Sequence, residues 1–349
     1  MDKLKLLLWP FAALYGGITS LRNTAYNKGW LAMRRFNLPV IAVGNLTVGG
    51  TGKTPHVEYL LRLLHNYRLA TLSRGYQRST SGFVLADEKA TAATIGDEPY
   101  QYHSDFPGVQ VAVCEDRVAG VEQLLELQPA PEIIVLDDAL QHRAIQPSFN
   151  ILITDYGRPF YHDFILPAGL LRESRGGAAR ADVVVVSKCP PNMPPSEMES
   201  IRSRVRHYTH QITPVYFTGF RYGQPVAMGI ITASNSKNVV LLTGIANANP
   251  LKAYLEQQQY NVLQHMEFRD HHGYTVADLQ SLAALLNQLP EDTLVLTTRK
   301  DAVKLMADAL QPIVAKLPLF YIPIEVYFLT GRDSFNQLLL DHVHSFGKA

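Results

Sequence analysis

The segment Gly44–Pro55, reading GNLTVGGTGKTP, constrains this chain more than any other feature, because it follows the apolar run Val40-Ile41-Ala42-Val43 and leads into a helix-patterned stretch from Val57. A strand, a glycine-rich turn and a helix in that order cradle a nucleotide's phosphates. Gly49, Gly50 and Gly52 let the backbone curl so that successive N–H groups and the helix N-terminus face one anion, while Lys53 reaches the outer phosphates. Thr54 is placed to ligate magnesium. The expected phosphate-binding set is Thr47, Val48, Gly49, Gly50, Thr51, Gly52, Lys53 and Thr54. Thr47 stands where the usual loop has its first glycine, so the loop is a variant with its GGTGKT end intact.

A chain of 349 residues suggests two domains, each large enough to bury a core. With 32 basic against 31 acidic side chains, no global field draws it to nucleic acid, and an anionic partner must be met by a local patch. Cys114 and Cys189 lack CxxC or Cys/His ligand spacing and read as small buried hydrophobes in a reducing compartment. From Leu6 to Leu21 there is no charged side chain, and cations flank the stretch on both sides. Interrupted by Pro10 and Gly16-Gly17, it falls short of the roughly 20 apolar residues of a spanning helix. An interfacial helix fits it better than a secretory signal or a helix packed on the protein's own core, with Trp9 and Tyr15 at the headgroup boundary.

Short apolar runs at 69–72, 109–113, 133–136, 151–154 and 183–186, separated by helix-length segments, indicate a mostly parallel sheet with helices on both faces. The expected fold class is α/β: a P-loop NTPase-like α/β/α sandwich, an extended connection and a second, smaller α/β domain. The expected boundaries are 1–35 for the membrane-contacting segment, 36–213 for the ATP-binding domain, 214–232 for an extended linker and 233–349 for the smaller domain. Within the last, strands are expected at 239–243, near 262, at 294–297 and near 321–328.

Chemistry is expected at the C-terminal ends of the strands. Ile133–Leu136 followed by Asp137-Asp138 is an apolar strand ending in adjacent carboxylates, which beside a phosphate loop holds or orients magnesium. The GDEP turn supplies Asp97 and Glu98, with a bland alternative in which Asp97 merely caps a helix. DHHGY places His271 and His272 beside an acid without a third ligand at zinc spacing. Arg74, Arg78, Arg117, Arg143 and Arg172 fall at expected strand ends and turns, and as a set they suggest an anionic substrate.

The ordered set GNLTVGGTGKTP, SRGYQR, GDEP, LDDALQH, LPAGLLRE, VVVVSK, TGIANANP, FRDHHGY and TTRKDAVKL, behind an apolar N-terminus, resembles the tetraacyldisaccharide 4'-kinase family of lipid A biosynthesis over nearly the whole chain. The resemblance implies transfer of the ATP γ-phosphate to the 4'-hydroxyl of a tetraacylated, 1-phosphorylated glucosamine disaccharide at the cytoplasmic face of the bacterial inner membrane. ATP and Mg2+ are the implied cofactors; the lipid A disaccharide precursor and the membrane surface are the implied partners, with no nucleic acid and no obligate protein partner. Two α/β/α domains joined by a small β linker, with the active site in the cleft, are implied as well. By motif, Lys53 and Thr54 serve phosphate and magnesium, Asp137 and Asp138 are the Walker B carboxylates, and Asp97 is the general base working with His271 or His272. Arg74, Arg78, Arg117 and Arg172 are the expected substrate contacts. Ala139-Leu140 stand where the family usually has Gly-Phe, and Arg269 and Arg299 replace a common proline and a common glutamate. The rival reading is a membrane-associated P-loop switch or metal-delivery NTPase, for which the chain offers only Ser187-Lys188 toward a guanine signature. A ligase of the dethiobiotin synthetase kind is a third reading, and it would not need the apolar N-terminus.

Overall fold

The computed structural model describes residues 3–229, 236–270 and 272–346. The strands in chain order are β1 (Val40–Gly44), β2 (Leu69–Ser73), β3 (Val84–Leu85), β4 (Gln110–Val113), β5 (Ile133–Asp137), β6 (Phe149–Asp155), β7 (Val183–Ser187), β8 (Val215–Tyr222), β9 (Val226–Ala227), β10 (Asn238–Thr243), β11 (Asn261–Glu267), β12 (Leu294–Thr298), β13 (Leu319–Ile322) and β14 (Ile324–Thr330). Among the described residues they form a nine-stranded sheet in the order β14-β8-β7-β6-β1-β5-β2-β4-β3 and a five-stranded sheet in the order β11-β10-β12-β13-β9.

In the larger sheet β1 lies between β5 and β6, parallel to both, so the phosphate loop emerges where successive connections leave in opposite directions. Strands β1, β2, β5 and β7 are buried at every position, which is why they read as continuous apolar runs rather than alternations. Alternation survives in which side each residue serves. Ile41 and Val43 pack with Val57, Leu60 and Leu61 of the helix Lys53–Leu63, while Val40 and Ala42 pack on the opposite face with Leu72 and Val121. The smaller sheet is covered on one side by Leu279 and Leu282 and on the other by Leu251 and Leu255.

Two sequence expectations differ from the structure. The segment 214–232 is not a free-standing connection, because β8 pairs in parallel with β7 inside the larger sheet and only β9 joins the smaller one. The run near 321–328 is two strands. Pro323 has no N–H for a ladder, and at that residue the chain leaves the smaller sheet, so that β14 returns antiparallel to β8. The following helix, Arg332–Phe346, sets Phe335, Leu339 and Val343 in the larger sheet's core, so the 233–349 boundary places residues 324–346 on the wrong side. The two crossings run side by side: the Gly223 N–H donates to the Pro323 carbonyl at 2.9 Å. A Cβ on Gly223 would lie 2.8 Å from Pro323 Cγ, so the approach needs glycine.

A second contact joins the two halves. Arg299 on the helix Arg299–Leu305 ion-pairs with Asp105 at the end of the helix Asp97–Asp105, donates to Ser104 Oγ at 3.1 Å, and lies 4.8 Å over the Tyr321 ring. The arginine at this position is therefore an interdomain clamp.

The N-terminal helix, Lys3–Asn27, inverts the usual amphipathic rule. It buries Ala12, Gly16, Thr19 and Asn23 and exposes Phe11 (64%), Leu14 (66%), Ile18 (61%) and Leu21 (67%). Docking uses small residues and polar contacts: Asn23 donates to Glu173 at 2.6 Å, and the Tyr15 hydroxyl donates to the Arg172 carbonyl at 3.0 Å. Among the described residues no helix is long and apolar enough to cross a membrane.

Candidate active site

The phosphate loop is shaped by two left-handed glycines, Gly49 at φ +100 and Gly52 at φ +89. Gly52 is doubly constrained, since a Cβ there would meet the Phe220 ring at 2.5 Å. It is also the N-cap of the helix Lys53–Leu63 and offers no side chain to the first-turn N–H groups, which leaves those donors for an anion. The loop is tethered from below. Ser187 Oγ donates to the Thr51 carbonyl at 2.6 Å, Lys188 Nζ donates to the Gly50 carbonyl, and Asn45 Nδ2 donates to Thr51 Oγ1 at 2.8 Å. Val48 N–H donates to the Leu170 carbonyl at 2.8 Å, and Thr47 bridges Leu171. His56 fixes the loop's far end, with Nδ1 2.7 Å from the Gly52 carbonyl and Nε2 3.0 Å from Thr218 Oγ1. A carbonyl can only accept, so Nδ1 carries the proton and Nε2 accepts from the threonine. Burial pushes His56 down to about 4, in keeping with that neutral ring.

Lys53 Nζ lies 3.6 Å from Asp138 Oδ1 and 3.4 Å from Asn45 Oδ1. Arg172 grips both oxygens of Asp138, at 3.0 and 2.7 Å, and also bonds Asn45 Oδ1. The two adjacent aspartates thereby separate. Burial raises Asp138, but Lys53 and Arg172 overcome it and hold that carboxyl down at about 2. Asp137 is raised to about 7, first by burial and then by Glu98, and its Oδ1 has no hydrogen-bond partner among the described residues. Its other oxygen accepts from the Tyr102 hydroxyl at 3.1 Å. A buried, underbonded carboxylate beside a threonine hydroxyl and Glu98 forms an all-oxygen set that suits a hard cation such as magnesium. No group of three or more His, Cys, Asp or Glu side chains forms a ready metal cage among the described residues, and magnesium carried with nucleotide phosphates needs only one or two carboxylates.

The GDEP turn is a helix start, with Gly96 at φ +94 as the N-cap and Asp97 and Glu98 in the first turn, so Asp97 is not the cap. The turn places its two acids in different directions. Glu98 accepts from Thr54 Oγ1 at 3.2 Å in the phosphate loop, and Asp97 lies 3.8 Å from Lys304 Nζ on the other half of the molecule. His272 Nε2 lies 3.1 Å from Asp278 Oδ2, and its ring stacks on Phe268 at 4.3 Å. His271 lies outside the described residues.

The arginines divide. Arg172 reaches the carboxylates as expected, and Arg74 is exposed at the end of β2. Arg117 is only 2% exposed, bonded to the Cys114 carbonyl at 2.5 Å, and burial lowers it to about 10 against the pull of Asp137 and Asp138. It is a buried cation beneath the acids rather than a surface anchor. Arg78 is taken up by Glu115 at 2.6 Å and the Gly82 carbonyl at 2.6 Å, which makes it a clamp of its own loop.

Several site residues were missed by sequence reasoning. Asn45 and Gln141 stand inside quoted motifs but carry no charge to draw notice. Glu173 is fully buried and accepts from Asn23, from Gln141 at 3.0 Å and from Arg180 at 2.6 Å, linking the N-terminal helix to the loop after β5. Glu98, by contrast, was visible in GDEP and needed only a direction.

Comparison with known proteins shows the family. The family model described as tetraacyldisaccharide-1-P 4'-kinase (LpxK) matches residues 4–344. The tetraacyldisaccharide 4'-kinase of Flavobacterium johnsoniae is 44% identical, covering 98% of this chain and 98% of its own length. Its namesake in Bacteroides thetaiotaomicron is 41% identical over 96% and 92%. A solved structure of LpxK from Aquifex aeolicus in complex with ATP superposes with a TM-score of 0.76 at 28% identity, covering 97% of this chain and 99% of that one. On this match and on the loop, carboxylate pair and paired sheets described above, the chain belongs to the tetraacyldisaccharide-1-P 4'-kinase (LpxK) family.

Proposed function

We infer that this chain is a lipid kinase that transfers the γ-phosphate of ATP to the 4'-hydroxyl of a tetraacylated glucosamine disaccharide 1-phosphate, a step of lipid A biosynthesis. The observation that carries the reading is the uncapped helix N-terminus at Gly52-Lys53 set against Asp137 and Asp138. Phosphoryl transfer asks mainly for positioning and charge stabilisation, and this corner offers backbone N–H groups, Lys53 and Arg172 around one point. Magnesium bound with ATP would supply charge neutralisation at the phosphates. Thr54, Asp137, Asp138 and Glu98 are the side chains that would hold it. On entry of the triphosphate, Lys53 exchanges its contact with Asp138 for the outer phosphates.

A sugar hydroxyl is a weak nucleophile, so we assign Asp97 as the base that removes its proton, supported by its place between the phosphate loop's helix neighbour Glu98 and the second half of the molecule. The DHH pair, His271 and His272, is assigned to support Asp97. Asp278 and Phe268 already hold His272, which makes His271→Ala and His272→Ala a discriminating pair of variants. The exposed stripe Phe11, Leu14, Ile18 and Leu21 suits the cytoplasmic leaflet of the inner membrane, where acyl chains of the substrate would remain while the sugar enters the cleft. Arg74 and Arg172 are the candidate contacts for the anionic headgroup. The direct test is γ-labelled ATP with the monophosphorylated disaccharide in detergent, with label expected at the 4' position. An unlabelled lipid with released phosphate would reject the reading.

A further inference from the structure

Lys304 is a lysine that the reaction as described does not use, yet it is 8% exposed and its ammonium makes no hydrogen bond among the described residues. It lies 3.6 Å from Asp301 Oδ1 and 3.8 Å from Asp97 Oδ2. Asp301 is fully buried on the same helix, and its Oδ2 is already occupied by the Gly244 N–H at 3.0 Å and the Thr298 hydroxyl at 2.8 Å. One buried cation therefore stands between two carboxylates, one from each half of the molecule, and is closed on by neither. If Lys304 served only to neutralise Asp301, direct hydrogen bonding to Oδ1 would be the lower-energy arrangement, since burying an ammonium without donor contacts is costly. The nearly equal distances keep it within reach of Asp97.

The helices confirm the direction of that contact. Asp105 meets Arg299 and Asp97 meets Lys304, so Asp97–Asp105 and Arg299–Leu305 lie antiparallel with an ion pair at each end. The Arg299 end meets Ser104 and Asp105 at the far end of the first helix, whereas the Lys304 end meets Asp97, next to Glu98, which accepts from Thr54 Oγ1. Glu98 and the two aspartates stand on that side together with Lys53 and Arg172, which hold Asp138.

We propose that Lys304 is a positioning residue for Asp97: it reaches across the domain boundary to the carboxylate and aims it at the acceptor hydroxyl, so that proton removal depends on the second half being docked. The proposal rests on Asp97 being the base. In this role Lys304 acts through Asp97 and not on the reacting atoms.

The test is a double-mutant cycle on the full chain with Lys304→Met, Asp97→Asn and the double variant, reading kcat and the KM for ATP of lipid phosphorylation. Lys304→Met is expected to lower kcat by about tenfold or more with KM for ATP nearly unchanged, and to cause no further loss once Asp97 is asparagine. Lys304→Arg should restore most of the rate, and Arg299→Met, which breaks only the remote end of the contact, should not reproduce the cycle's non-additivity. If Lys304→Met proves unstable, Lys304→Met/Asp301→Asn, which removes one charge of each sign, takes its place. Equal fold-losses in both backgrounds overturn the proposal while leaving the base assignment standing. An unchanged kcat in Asp97→Asn alone overturns the base assignment and the proposal together.

Discussion

The two sheets end in similar corners with opposite outcomes. After β1, the helix Lys53–Leu63 starts at a glycine with no side-chain cap, and the groups around it are Lys53, Asn45 and Arg172. After β12, the helix Arg299–Leu305 starts at Thr298, whose hydroxyl accepts from the Asp301 N–H at 3.1 Å, while Asp301 closes over the Gly244 N–H of the neighbouring strand end. Both corners present the positive end of a helix at the C-terminal edge of a parallel sheet. In the second a carboxylate of the chain already occupies the place proposed for a phosphate in the first. The two corners thus differ in whether the strand–helix junction is left open or filled by its own side chain, and Lys304 of the second lies between its own Asp301 and Asp97 of the other half.

Emptying the open corner of its cation should have the largest effect. Lys53→Ala is expected to reduce phosphoryl transfer by about 10³-fold, measured as label on the lipid, with the unfolding midpoint nearly unchanged. Asp97→Asn should follow, at about 10²-fold in kcat with little change in nucleotide affinity; a mainly KM effect would move Asp97 from base to binding group. Opening the filled corner with Asp301→Ala should leave ATP affinity intact but cost on the order of 3 kcal/mol in denaturant unfolding, because Lys304 and the Gly244 N–H lose their partner. Loss of ATP binding in that variant would break the comparison. On the N-terminal helix, Leu14→Gln/Ile18→Gln should weaken association with anionic vesicles by about tenfold without altering ATP affinity.

The smallest effect concerns pH. Asp137 is raised to about 7, so the folded protein keeps a proton that the unfolded chain releases near its ordinary value of 3.8. Its contribution to stability is therefore greatest in acid and declines as pH climbs from about 4 to 7. Asp137→Asn should accordingly stabilise the nucleotide-free protein at pH 8, by on the order of 1 kcal/mol, and not at pH 4, while removing activity. Greater stabilisation of the variant at pH 4 would show that Asp137 is not a buried, underpaired charge.

Much of the first corner was legible in the sequence, because a phosphate loop is local: the turn, its glycines and the lysine are contiguous. The Asp137-Asp138 pair was legible for the same reason, though not the divergence of its two members, which is set by burial and Glu98 at Asp137 and by Lys53 and Arg172 at Asp138. The arginine set shows the limit. Spacing placed all of them at strand ends, but Arg78 is consumed by Glu115 and Arg117 is buried against the Cys114 carbonyl. The uncharged run of the N-terminus suggested an interfacial helix but not which residues dock it, and only the burial of Ala12, Gly16, Thr19 and Asn23 shows that the large side chains point outward. The crossing at Pro323 was visible as a proline, but its meaning depended on Gly223, which lies beside it only in the folded chain.

The most direct measurement is to incubate the purified chain with γ-labelled ATP, magnesium and the monophosphorylated tetraacyl disaccharide in detergent, then follow the label. Label on the sugar's 4' position, absent with Lys53→Ala and retained with Arg299→Met at a permissive temperature, is the expected result. Release of free phosphate with an unlabelled lipid would contradict the account and point to a switch NTPase built on the same corner.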